Sequence, residues 1–379
     1  MKEKHILLLY HYYHHHSMVE RMAASMKEYG LGVDVLCMDN LHLVRNSDVP
    51  HRFGTRLMLS FFRGDRKTLL TKILRRLFAT CLLQSLMKQY DLVDFHVFTL
   101  KHLPYMMFCQ KRGIAFDITL WGSDLMRATD EALEKKKWGF AHCRHIKCSE
   151  NLHEVLVEKY STVFDSKVRY VYWGISDFEV IDALPGTAVK AFRDKLLSPG
   201  EDFVVTCGYN GSEGQNLTAI AAAIGSLPGD LKKRSSFLFP MTYGATPEYL
   251  SRVRQALDAA GVHYTILDKY LPAEEIAAVR LASDVVVNIQ KTDAFSGSLQ
   301  GHLYCNNVLI IGEWLNYVPL DNAHVYYIKT TIGDIPHKLA EVLTHLPEYK
   351  EKCAGNHEKM AGLTAWPAVL PHWAACYLS

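Results

Sequence analysis

Short apolar runs alternate with helical stretches along almost the whole chain, and that alternation leaves few folds open. "HILLLY" leads into a helical pattern over Met18–Tyr29, and "GVDVLCM" reads as the next strand. A long helical region covers Arg66–Gln89, after which "LVDFHVF", "IAFDITLW" and "HIKCS" read as short strands, each followed by a helix-like stretch. The second half repeats the arrangement: "DFVVTCGYN" before "NLTAIAAAIGSL", "SSFLFPM" before "PEYLSRVRQALDAAG", "HYTIL" before "PAEEIAAVRLA", "SDVVVNI" before "SGSLQGHLYCN", then "NVLIIG". Such alternation predicts parallel sheets covered by helices. The chain has 379 residues, of which 49% are hydrophobic, too long for one ordinary core and suited to two. The boundary is expected between Ile175 and Asp202, where Pro185-Gly186 and Pro199-Gly200 bracket a short helix. The expectation is two doubly wound, Rossmann-like α/β domains facing a cleft, with ligands beyond the C-terminal ends of the strands.

Composition narrows the classes further. The net charge is +2, which does not point to nucleic acid, and nine cysteines without a Cys-x-x-Cys pair fit a reducing compartment better than a disulfide framework. No secretory signal is visible, and no run approaches the ~18 apolar residues of a membrane span. A cytoplasmic protein is expected, soluble or peripheral on the inner face of the cytoplasmic membrane.

Three stretches carry the chemistry. "CGYNGSEGQN", Cys207 to Asn216, follows a buried-strand pattern and opens a helix. Gly208, Gly211 and Gly214 permit close backbone approach, and free N–H groups at a helix start suit phosphate. In "FPMTYGATPEYLSRV", Thr242, Tyr243 and the Gly244 N–H fall at the C-terminal edge of the sheet. In "NIQKTDAFSGSLQGHLYCNNVLIIGEW" a strand passes through a polar loop to a helix that Ser296 and Ser298 can cap, its start facing a diphosphate. Each stretch alone also fits an ordinary turn, a loop with a buried tyrosine or a plain N-cap. Together they place small polar groups on one edge of one sheet.

On these residues the second half resembles GT-B glycosyltransferases, and most of all the bacterial 4-acetamido-4,6-dideoxygalactose transferases, which act on lipid-linked intermediates of surface polysaccharide. The likeness covers about 203–317, through "CGYNGSEGQN", "PMTYGATPEYLSRV" and "TDAFSGSLQGHLYCNNVLIIGEWLNY"; "LWGSDL" and "HIKCSENL" are the landmarks of the first half. The resemblance implies domains at 1–185 for an acceptor and 186–350 for a nucleotide-sugar donor, with a helical tail at 351–379 crossing back to the first. It implies donor contacts from Gly208, Asn210, Gly211, Thr242, Tyr243, Gly244, Ser296, Gly297 and Ser298, with Phe295 walling the pocket. Two departures stand out. Larger retaining GT-B families carry a Glu-x7-Glu pair beside the donor, whereas the matching positions here are Asp293 and Gly301. Those families also place Arg and Lys in the first βα turn, whereas "GYNGSEGQN" has no basic residue. Backbone dipoles, hydroxyls and a base from elsewhere, such as Lys291, would then offset phosphate charge.

"LLLYHYYHHHSMVERM" puts His11, His14, His15 and His16 in the loop after the first strand. In a GT-B cleft that loop lies on the acceptor side, where an inverting transferase needs a base and imidazole has the right pKa. Consecutive side chains on an extended loop diverge, which argues against a metal; a plain exposed loop remains open. His11, closest to the strand end, is the first choice, with His14 behind it. Asp124, in "ITLWGSDL", is a second candidate for accepting a proton or binding sugar hydroxyls, and Trp121 can stack on a sugar beside Ser123; Ser123 or Asp124 serves equally as a helix cap. His96 reads as a satisfied strand histidine. "HCRHIKC" lacks a second ligand pair at matching spacing, so zinc is not expected. No Asp-x-Asp pair occurs, which fits a metal-independent reaction with no cofactor, the nucleotide sugar being a substrate.

From Arg52 to Lys88 there are nine basic residues and one acidic, Asp65, interleaved with apolar ones such as Leu57, Phe61, Phe62, Leu70 and Phe78. Such a segment can lie on an anionic membrane surface, suiting a polyprenyl-linked acceptor, or can be a domain helix with a solvated basic face. Nucleic acid is not an expected partner, because stacking aromatics and a global basic excess are missing. The leading expectation is a glycosyltransferase moving a hexosyl or deoxyhexosyl unit from a nucleoside-diphosphate sugar to a lipid-linked or saccharide acceptor. The alternatives are a nucleotide-sugar epimerase of the same architecture and a non-catalytic saccharide- or partner-binding module.

Overall fold

The computed structural model describes residues 3–11, 17–39, 41–50 and 69–379, with backbone alone at 17 and 69–77. The chain forms two compact units, Met1–Gly174 with Trp366–Ser379, and Ile175–Ala365. His14, His15, His16 and the stretch 51–68 lie outside the described residues, so the histidine loop and most of the basic segment expected at a membrane are not addressed by the fold. Among the described residues no helix is long and apolar enough to cross a membrane.

The first unit is built on β1 (Lys4–Tyr10), β2 (Leu31–Cys37), β3 (His42–Val44), β4 (Leu92–His96), β5 (Ala115–Thr119), β6 (Ile146–Cys148) and β7 (Val168–Tyr170). They form one sheet in the order β3-β2-β1-β4-β5-β6-β7. Every pair is parallel except β2 with the short edge strand β3. The central strands are buried along almost their whole length, which is why they read as continuous apolar runs rather than alternating ones. The order reverses between β1 and β4, so the loops after these two strands open at a topological switch point.

Charges on three neighbouring strands of this sheet, β4, β5 and β6, meet at fully buried positions. Lys147 on β6 donates to Asp94 on β4 at 2.9 Å and to Asp117 on β5 at 2.6 Å, all three side chains being inaccessible. Arg144 grips Asp117 with Nε at 3.0 Å and Nη2 at 2.8 Å. The helix Trp366–Leu378 closes the network: the Tyr377 hydroxyl donates to Asp94 at 2.8 Å, and its ring lies under the Lys147 ammonium at 4.4 Å. The same helix packs Val369, Trp373 and Tyr377 into the core with Ile6, Leu8 and Val33. Against the desolvation that opposes any buried charge, the carboxylates hold Lys147 above its ordinary pKa, and Lys147 holds Asp94 and Asp117 below theirs.

The second unit has β8 (Phe203–Cys207), β9 (Ser235–Pro240), β10 (His263–Leu267), β11 (Val285–Asn288), β12 (Val308–Gly312) and β13 (Ile328–Thr330), all parallel, in the order β10-β9-β8-β11-β12-β13. Its switch point falls between β8 and β11, the strands that end in the first and third stretches singled out above. The helix Pro247–Ala260 shows how locally these elements are specified. The Thr246 hydroxyl accepts the Tyr249 amide at 3.2 Å, Pro247 sits in the first turn, and Gly261 ends the helix at φ 62°. Tyr249, Val253, Leu257 and Ala260 recur at helical spacing and face the sheet.

The units divide between Gly174 and Ile175, earlier than the expected 185, and again between Ala365 and Trp366, later than the expected 351. The reason is packing. In the helix Asp177–Ala183, Phe178 stacks on Tyr304 at 3.9 Å, Tyr304 donates to Asp182 at 2.7 Å, and Asp177 pairs with Arg280, all within the second unit. Downstream, Asn356 exchanges hydrogen bonds with the Tyr326 backbone, tying the helix Asn356–Thr364 to the same unit.

Candidate functional site

At the C-terminal edge of the second sheet, three loops interlock. After β8 the chain turns at Gly208, with φ 66°, where a Cβ would sit 2.6 Å from Leu217 and 3.0 Å from Gln215. The Gly211 amide donates to the Tyr243 carbonyl at 2.8 Å, and a Cβ at 211 would approach the Ala245 nitrogen to 2.9 Å. The glycines thus let the loops after β8 and β9 touch backbone to backbone. Gly244 turns the second loop at φ 80°. Asn210, almost fully buried, accepts the Ser212 amide at 2.9 Å and reaches the Tyr243 hydroxyl at 3.4 Å. The loop after β11 joins through Gln290, whose side-chain oxygen accepts from Tyr209 at 3.0 Å and Gln215 at 2.8 Å. The Lys291 amide donates to the Gly214 carbonyl at 2.8 Å, while its side chain is exposed.

A Gly211→Ala substitution is expected to push these loops apart, at a cost of about 1–3 kcal/mol. Urea unfolding should show the loss, and unchanged stability would mean that the contact is not tight.

Asp293 works inside its own loop. One oxygen accepts the Ser296 amide at 3.1 Å and the other the Tyr317 hydroxyl at 2.7 Å. Burial pushes its carboxyl up, against the lowering by these donors. Phe295 adopts φ 77°, a strained conformation for a bulky residue, and buries its ring near Tyr317. Ser296 stands at the N-cap of the helix Gly297–Tyr304, and its side chain makes no cap bond.

That helix start borders a cavity of about 240 Å³. Of the residues expected at the donor, Thr242, Tyr243, Gly297 and Ser298 line it. Gly208, Asn210, Gly211, Gly244, Asp293, Phe295 and Ser296 instead build the loops around it. Tyr209, Pro240, Leu271, Ile276 and Val279 contribute apolar lining to the cavity, and Asp177, Arg280 and His302 contribute charged and polar lining. Sequence reasoning missed this last trio. The signal for Arg280 was its spacing from Ile276 on a helix face that is otherwise apolar.

The hydrogen bonds fix the state of His302. The Asn307 amide nitrogen donates to the Arg280 carbonyl at 2.7 Å, while its oxygen faces Lys350 at 3.4 Å, which sets the orientation of the amide. The same nitrogen therefore donates to His302 Nδ1 at 3.0 Å, leaving the ring proton on Nε2. Burial, with Arg280 and Lys350 nearby, lowers the His302 pKa to about 3, against an ordinary 6.5. Between these values the unfolded chain takes up a proton that the folded chain refuses. Stability from this group is complete above about pH 6.5 and is lost as pH falls, by about 2 kcal/mol at pH 5. Urea midpoints at pH 7.5 and 5 should differ accordingly, and by less in His302→Gln.

The first unit brings other residues to its own switch point. His11 follows β1, and its Nδ1 lies 3.3 Å from Asp39, which follows β2 and was not anticipated. The carboxylate accepts a hydrogen bond from Nδ1–H, which leaves the lone pair on Nε2, a buried atom with no partner among the described residues. Burial lowers the His11 pKa and Asp39 raises it in part. The buried ring of His102 lies 4.5 Å away. Asp124 is a loop organiser: its carboxylate accepts the amides of Phe98 at 2.9 Å, Trp121 at 3.0 Å and Gly122 at 2.8 Å, joining the loops after β4 and β5. Burial pushes its carboxyl up against those amides. Trp121 packs on Trp173 at 4.8 Å and donates to His96 at 3.4 Å, while Ser123 is exposed at the start of a short helix. His96 is satisfied by Trp121 and by Asp94 at 3.2 Å.

No family model matches the chain, and no curated protein sequence matches it. Solved structures do. A glycosyltransferase from Rickettsia africae matches over 100% of this chain and 98% of its own, at TM-score 0.70 and 12% identity. Anabaena HepE in complex with UDP-glucose matches over 99% of both chains at TM-score 0.71 and 13% identity. A sucrose-phosphate synthase from Thermosynechococcus elongatus matches over 99% and 98% at TM-score 0.72 and 12% identity. At such identities the likeness is one of fold, and it is the fold class the sequence predicts: GT-B, two Rossmann-like parallel-sheet domains.

Proposed function

We propose that this protein is a glycosyltransferase whose second unit holds a nucleoside-diphosphate sugar and whose first unit serves the acceptor. One observation carries the reading. Residues marked in the sequence as donor contacts, Thr242 and Tyr243 after β9 and Gly297 and Ser298 at the start of the helix Gly297–Tyr304, line one cavity at the strand ends of the second sheet. The structures it resembles include one solved with UDP-glucose, which agrees with a nucleotide-sugar donor.

In the proposed reaction His11 Nε2 takes the proton of an acceptor hydroxyl, with Asp39 holding the imidazole in the required tautomer. The acceptor oxygen attacks the anomeric carbon, the bond from that carbon to the diphosphate oxygen breaks, and the nucleoside diphosphate departs with inversion. Backbone amides at the helix start stabilise the charge that develops on the leaving group. Asp124 and Asp293 serve by positioning loops. Bacterial surface polysaccharide is the proposed setting, with a lipid-linked or saccharide acceptor near Trp121 and Ser123. The basic stretch 52–88 is the proposed contact with an anionic membrane. The absence of an Asp-x-Asp pair supports a metal-independent reaction.

Thermal unfolding against UDP-, TDP-, GDP- and CMP-sugars and the free nucleotides tests the donor site. A ligand that binds only the folded chain raises the midpoint, so a selective rise is expected with one nucleotide. No rise at millimolar concentration would remove the donor site from the second unit. Binding without transfer across an acceptor panel would reject the transferase in favour of a binding module.

A further inference from the structure

Arg280 is an unusual cation. Its side chain is 6% exposed, and it has one carboxylate partner, Asp177, at 2.5 Å, itself 39% exposed. A guanidinium offers five N–H groups, and a nearly buried one with a single partner is costly unless something else meets its charge. Among the described residues Arg280 donates one side-chain hydrogen bond, and it lines the cavity of the second unit. The helix Gly297–Tyr304 is shaped to receive it. A Cβ at Gly301 would lie 2.6 Å from the guanidinium Cζ, Nε and Nη1. Glycine inside a helix costs about 1 kcal/mol relative to alanine, and here its lack of a side chain makes the space the guanidinium fills. The space beside Gly301 is thus occupied by a cation from the neighbouring helix. Beside it stand the uncapped helix start at Gly297 and Ser298 and the neutral imidazole of His302, whose ring proton is on Nε2. Cation, helix start and a neutral N–H donor thus line the same cavity.

We infer that Arg280 is the phosphate-binding cation of this cavity, supplying the charge that the glycine-rich loop lacks, and that Asp177 competes with the ligand's phosphate for it. The inference rests on the nucleotide-sugar reading and names the residue that makes that site read an anion. A guanidinium fork matches phosphate oxygens in pairs, so it tells a nucleoside diphosphate from its nucleoside.

Isothermal titration calorimetry on the full chain tests this with uridine, thymidine, guanosine and cytidine, each as nucleoside, monophosphate and diphosphate. For the base that binds, Arg280→Met should weaken the diphosphate by about 10- to 100-fold, the range of a charged hydrogen bond, and leave the nucleoside within about twofold. Gly301→Ala, which displaces the guanidinium without changing charge, should weaken the diphosphate in the same direction. Asp177→Asn should tighten it several-fold, a gain that misfolding cannot produce. Wild-type binding that Arg280→Met does not weaken, equal losses for nucleoside and diphosphate, or weaker binding in Asp177→Asn would each overturn the assignment while leaving the donor site in place. No diphosphate binding by the wild-type chain would remove both.

Discussion

A Lys147→Met variant is expected to lose about 3–5 kcal/mol of stability, because the substitution leaves charges buried without their partner. Lys147 is the shared ammonium of Asp94 and Asp117, and none of the three side chains reaches solvent. Methionine fills much the same volume, so packing changes little and the loss reports the charge. Asp117 would keep Arg144, whereas Asp94 would keep only neutral donors and His96. Unfolding in urea, followed by fluorescence of the tryptophans beside the network, measures the effect. Tyr377→Phe, which removes one hydroxyl donor from Asp94, should cost about 1–3 kcal/mol. A further variant that adds Asp94→Asn and Asp117→Asn to Lys147→Met should recover part of the loss. If Lys147→Met cost less than about 1 kcal/mol, the network would be relieved by water rather than dry.

His11→Ala should reduce transfer by about 10²–10⁴-fold, the range for removing a general base. Nucleotide affinity should hold within about twofold, since the cavity is lined by the other unit. A pH profile separates a base from a merely structural histidine. Activity should fall at low pH as the Nε2 lone pair is protonated, with the limb below 6.5 because burial lowers the His11 pKa. Asp39 raises that pKa, so Asp39→Asn should move the acid limb to still lower pH and reduce the plateau through loss of the tautomer restraint. A limb that stays in place or moves upward in Asp39→Asn would separate Asp39 from the chemistry, and full activity in His11→Ala would pass the role of base to another group.

The alternation of strand and helix announced the fold, because a doubly wound sheet writes itself locally: one apolar run per strand, one amphipathic period per helix. The edges of the sheets were less legible. β3, β7 and β13 have three residues each, too few to show a period. Pro185-Gly186 looks like a linker, whereas Gly186 begins a helix and the helix before it is fixed by Phe178 and Asp177 to partners over a hundred residues away. The same distinction divides the site. Glycine-rich turns and helix starts are local signals, and they led to the loops that enclose the cavity. The Arg280–Asp177 pair, His302 on Asn307 and the Asp39–His11 contact depend on the folded arrangement. Their trace in the sequence is only a polar residue where its neighbours predict an apolar one. Asp94 in "DFHVF", Asp117 in "IAFDITLW" and Lys147 in "HIKCS" carry the same trace in the buried strands of the first sheet.

The helix Trp366–Leu378 also governs when each half of the molecule can finish folding during synthesis. Residues 175–365 form an uninterrupted stretch, so the second unit has every strand and helix it needs once that stretch has left the ribosome. The first unit is translated earlier yet must wait longer. Until residue 377 emerges, Asp94 lacks the Tyr377 hydroxyl and the faces of Ile6, Leu8 and Val33 lack the tryptophan-bearing helix that covers them. The half made first is therefore the half completed last, and for the time it takes to make nearly two hundred residues it is a client for whatever shields exposed apolar surface on a nascent chain.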